Sequence, residues 1–159
     1  MGRKSIKENK NIYFEAREEA GLTRAAAAEK MEFISESRID KIENEKVNAP
    51  YPDEVLAMAK AYGRPDLCNQ YCSSVCAIGQ KYVPKIQIDK KNLPQITLEV
   101  LSALNALDSQ KDRLIEIASD GEISEDERAD FATIKDHLQK MSLAIDSLNL
   151  WIEKTLDKA

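Results

Sequence analysis

Seven apolar residues late in the chain, Phe131, Ile134, Leu138, Met141, Ile145, Leu148 and Ile152, follow one another in alternating steps of three and four. That heptad spacing puts them on one stripe of an α-helix, and a stripe this long calls for a second helix against it. Ser124 and Glu127 form a capping box that would start this helix. Upstream, from Pro94, residues Val100, Leu104, Leu107, Leu114 and Ala118 form another stripe, widened by Leu101 and Ile115, until Asp120 and Gly121 break it. At about 1.5 Å per residue the two helices would be roughly 40 and 50 Å long, too long for one compact globule. The pattern predicts a long antiparallel helical hairpin, coiled-coil-like, over residues 93–159. Four such helices from two chains would bury both stripes, so the expectation is a homodimer through the C-terminal helices. A hairpin folded back onto its own N-terminal part is the alternative.

The remainder of the chain also reads as helix. With 5 Gly and 5 Pro in 159 residues, and 43% apolar residues to build a core, the fold class is predicted all-α. Ser5 with Glu8 makes a capping box for a first helix ending at Gly21. Thr23 caps a second helix over residues 24–31, and Ser35 caps a third, in which Ile39 and Ile42 turn inward while Glu36, Ser37, Asp40, Lys41 and Asn44 turn out. Pro52 suits the first position of a fourth helix, ended by Gly63, and Pro65 opens a short fifth. From Gly79 to Asn92 neither helical period nor tight turns are evident, so residues 79–92 read as an extended linker. The domains are then 1–78, the linker 79–92, and 93–159.

Residues 12–62 resemble the Cro/lambda-repressor-like helix-turn-helix family, also called the xenobiotic-response-element family. The likeness rests on AREEAGLT at 16–23, AEKM at 28–31, SESRIDKIEN at 35–44, and Leu56, Ala59 and Tyr62 at the apolar positions of the fourth helix. It implies a five-helix lambda-repressor-like DNA-binding domain and a sequence-specific, dimeric transcriptional regulator acting on double-stranded DNA. Arg24 stands where the family often has Gln. The turn at 31–35 lacks the common glycine, and Glu45 takes a place where glycine often follows the third helix.

A helix lying in the major groove offers its exposed N-terminal residues to base edges, while the preceding helix N-terminus offers N–H groups to phosphate. Ser37, Arg38 and Lys41 are the expected readers, with Glu36 able to accept from a cytosine amino group. Thr23, Arg24 and Lys46 are expected to hold the backbone, and Ser35 and Asn44 complete the candidate interface. Net charge is −5 overall, yet residues 1–64 balance at 12 Lys/Arg against 12 Asp/Glu. Arg3, Lys4, Lys7 and Lys10 form a small basic arm suited to phosphates. A module that keeps the helix-turn-helix fold but binds protein, as in antitoxin-like or mobile-element accessory proteins, is the competing reading.

Other chemistry finds little support. Cys68, Cys72 and Cys76 are spaced four apart on a helix, but the paired spacing of a zinc site is absent, and the one histidine, His137, is remote. Residues 120–127 match the end of an EF-hand loop, whereas Glu116 and Ala118 fail its start. No catalytic, metal or cofactor site is expected, and the chain is not expected to be an enzyme. Without an apolar leader or span it is expected to be cytoplasmic, and any small-molecule effector stays unassigned.

Overall fold

The computed structural model describes residues 10–87, 92–119, 121–122 and 124–156. Among these residues every regular element is a helix. The chain divides into two compact units, one running to Lys85 and including the residues from Glu153 onward, the other Ile86–Ile152.

The first unit contains α1 (Ile12–Glu19), α2 (Arg24–Met31), α3 (Glu36–Glu43), α4 (Pro52–Tyr62), α5 (Asp66–Ser74) and the short α6 (Gly79–Tyr82). Local chemistry sets the boundaries. The Thr23 hydroxyl accepts from the Ala26 N–H at 3.1 Å and the Ser35 hydroxyl from the Arg38 N–H at 3.2 Å, so each of α2 and α3 begins on a side-chain cap. Asn11 does the same for α1, accepting from Phe14 N–H at 3.0 Å. The proposed Ser5 and Glu8 box, with Arg3, Lys4 and Lys7, lies outside the described residues. Pro52 occupies the first turn of α4, and Gly63 closes it at φ +62°, a conformation glycine takes without steric cost.

Tyr13, Ala27, Met31, Ile39, Ile42, Val55, Met58 and Leu67 form the core beneath these helices. Burying a side chain such as Ile39 or Met58 stabilises the fold by roughly 2–3 kcal/mol relative to leaving it exposed. Gly79 corrects the extended linker expected from residue 79. A Cβ there would lie 2.1 Å from the Cys72 carbonyl oxygen, so glycine lets the chain close against α5 and turn once as α6.

The second unit contains α7 (Leu93–Asp108), α8 (Lys111–Ala118) and most of α9 (Arg128–Leu156). Leu98, Ala103 and Ala106 share a groove with His137, Leu143 and Ala144, while Arg113 bonds to Asp130 at 2.7 Å. The middle of α7 therefore lies beside the middle of α9 and α8 beside its start, an antiparallel arrangement. Two expectations change. The upstream helix is broken at Ser109 and Gln110, where the Ser109 hydroxyl bonds back to the Ala106 carbonyl at 2.7 Å. The buried line also follows Ile96, Ala103 and Ile117 on one side and Ile134, Ala144 and Ser147 on the other. Leu101, Leu104, Phe131, Leu138 and Ile145 are left exposed. Among the described residues, no helix is long and apolar enough to cross a membrane.

Candidate nucleic-acid interface

The site is built where α2 crosses α3. Arg24, the first residue of α2, bonds through Nε to Glu43 at 2.8 Å and through Nη1 to Asp40 at 2.9 Å. Its reach fixes the first turn of α2 beside the middle of α3. Beneath this contact, Glu43 is 1% exposed and Arg17 of α1 is 5% exposed. Arg17 Nε donates to Glu43 Oε1 at 2.5 Å and Nη2 to Oε2 at 3.1 Å, while Nη1 donates to the Leu22 carbonyl at 2.7 Å. The Phe14 ring carries the same guanidinium 5.0 Å from its centre. Burial works against the charge on Arg17, but the bond and the attraction of Glu43 win, and its pKa is raised. This buried pair ties α1 to α3 and thereby sets the angle at which α3 is presented.

Three expected contact residues stand in water. Glu36, Ser37 and Lys41 are exposed on α3, and among the described residues their side chains have no hydrogen bond or ion pair. Thr23 and Ser35 are exposed as well, although their hydroxyls serve as helix caps. The exposed first turns of α2 and α3 leave backbone N–H groups facing outward, an arrangement that favours anions.

Arg38 is redirected. It does not extend toward solvent as a base reader would but forms a two-pronged bond to Glu54, at 2.6 and 2.8 Å, with its guanidinium 5.1 Å from the Tyr51 ring centre. Glu54 in turn accepts from the Tyr51 N–H at 2.7 Å, so Arg38 fastens α3 to the start of α4. The Arg38 bond holds the Glu54 carboxyl below its ordinary range. Arg24, Asn44 and Lys46 are similarly engaged, all three on Asp40.

Sequence reasoning missed the acidic partners Asp40, Glu43 and Glu54. A signal existed for the buried pair: Arg17 continues the inward stripe of Tyr13 and Phe14, and Glu43 that of Ile39 and Ile42. Opposite charges on two inward stripes point to a bond between them. Backbone geometry absorbs the absent glycines. Glu32 and Glu45 adopt φ +60° and +54°, in the region that L side chains enter at a cost.

Cys68, Cys72 and Cys76 are half-buried free thiols, and burial, with Cys72 nearby, pushes the Cys68 thiol up. No group of three His, Cys, Asp or Glu among the described residues could hold a metal ion.

Comparison with known families matches residues 15–67 to a helix-turn-helix domain, a span that runs from within α1 through α2, α3 and α4 to the start of α5. This agrees with the resemblance carried by residues 16–23 and 35–44. Neither the curated proteins nor the solved structures yield a match.

Proposed function

We propose that this protein is a sequence-specific DNA-binding regulator of transcription that works as a dimer. The observation that carries the reading is the crossing of α2 and α3 inside a helix-turn-helix domain, with Ser37 and Lys41 exposed and unpaired beside the crossing. In this reading α3 enters the major groove. Lys41 donates to guanine acceptors, Ser37 to either purine, and Glu36 accepts from cytosine. The N-termini of α2 and α3 meet the phosphates. Arg38, held by Glu54, positions the helix and reads no base.

The second unit supplies the pairing. Leu104, Leu107, Leu114 and Leu138 line one apolar groove, flanked by exposed Leu101, Ile115, Phe131 and Ile145. The exposed members leave on the order of 500 Å² of apolar surface per copy, and doubling it reaches the roughly 1,000 Å² of a specific interface. The polar rim of the groove, Asn105, Asp108 and Lys111, carries both signs, so a second copy meets no net like charge there. Two paired heads would then favour a two-fold symmetric site with half-sites about one turn apart.

A salt titration tests the reading. Binding to duplex DNA should weaken steeply as salt rises, and Lys41→Ala should cost about 1–3 kcal/mol of affinity and relax the preference at the base it reads. Binding that is indifferent to salt and to Lys41 would favour a protein partner instead.

A further inference from the structure

The three donors on Asp40 come from three separate places: Arg24 at the start of α2, Asn44 at the end of α3, and Lys46 in the loop beyond. Arg24 Nη1 lies 2.9 Å from Oδ1, Asn44 Nδ2 2.8 Å from the same oxygen, and Lys46 Nζ 3.0 Å from Oδ2. A guanidinium, an amide and an ammonium closing on two anionic oxygens make the kind of cradle that also accepts a phosphate diester. The cradle is open to water, because the Asp40 side chain is 35% exposed and that of Lys46 60%.

We propose that, in the free protein, the Asp40 carboxylate occupies the seat of a DNA backbone phosphate and must give it up when duplex binds. The inference rests on the DNA-binding reading and adds a control of affinity to it.

Charge supports the assignment. Glu43 is balanced by Arg17, which leaves Arg24 and Lys46 facing Asp40, a local excess of one positive charge instead of two. Lys46 and Arg24 keep the Asp40 carboxyl below its ordinary range, so it stays ionised near neutrality and its competition is constant there. Exposed ion pairs are individually weak, so the carboxylate attenuates binding and does not abolish it. Asp40 is therefore a positioning residue that holds Arg24, Asn44 and Lys46 until a stronger anion arrives.

The test compares duplex binding by the full-length protein and its Asp40→Asn, Asp40→Ser and Glu29→Gln variants across a salt series, with helical content checked for each. Both Asp40 variants should bind roughly tenfold tighter at low salt, with a salt dependence steeper by about one. Adding Lys46→Ala to Asp40→Asn should return affinity to near that of the unaltered protein. Glu29→Gln removes an exposed carboxylate from α2, outside the cradle and away from the expected base readers, and should leave the slope unchanged. If the unaltered protein binds duplex and the Asp40 variants bind no tighter, or if Glu29→Gln reproduces their gain and slope, the inference alone is overturned. If no form retains duplex at low salt, it falls together with the DNA-binding reading.

Discussion

Replacing Glu43 with leucine should cost far more than an exposed carboxylate would. The side chain is almost wholly buried and takes three charge-assisted bonds, two from Arg17 and one from Arg24. In Glu43→Leu, Arg24 keeps Asp40 and stays partly in water, so its loss is small. Arg17 cannot escape: its side chain is 6% exposed, over Phe14, and among the described residues it keeps the Leu22 carbonyl and a longer contact with Glu18. A buried charge stripped of its partner costs about 3–5 kcal/mol, a large share of the roughly 5–15 kcal/mol that holds a typical domain together. Arg17→Met combined with Glu43→Leu removes both charges and should recover to within about 1–2 kcal/mol of the starting protein. Urea unfolding followed by far-UV circular dichroism gives the magnitudes, and hydrogen exchange at the Ile39 and Ile42 amides assigns the loss to the first unit. A loss under about 1 kcal/mol in the single variant, or a double variant no better than the single one, would refute the reasoning.

Three further outcomes follow from the same geometry. Glu45→Gly relieves a positive φ that glycine adopts readily, and should raise stability by about 0.5–1 kcal/mol in urea unfolding, after the extra chain entropy of glycine. Because Arg38 lowers the folded-state pKa of Glu54 beneath its unfolded value, the pair stabilises the fold above that unfolded value. The contribution is lost as pH falls through the folded pKa, so Glu54→Gln should flatten the pH dependence of unfolding below about pH 4.5. Leu104→Lys with Leu138→Lys puts charge into the apolar groove, and sedimentation should then report a single chain whose first unit keeps its helical content.

What the sequence makes legible is local. Thr23, Ser35, Pro52 and Gly63 mark helix ends because capping depends on residues within one turn, and each is found at the boundary it predicts. The inward direction of Ile39 and Ile42 is equally local, following from the helical repeat. Arg24 and Arg38 look free in the sequence because their partners lie 19 and 16 residues away, beyond any periodic signal. Helix α7 shows another limit. Ile96 and Ala103, and Leu101 and Leu104, make two interlaced apolar stripes, and periodicity does not say which is buried. In the fold the stripe of Ile96 and Ala103 is the buried one.

Selection of duplexes from a random DNA pool by the full-length protein tests the central claim most directly. Enrichment of an inverted repeat with half-sites about one helical turn apart, lost in Ser37→Ala with Lys41→Ala, is the result expected. A pool that emerges without a shared motif, with the unaltered protein and this variant performing alike, would contradict it.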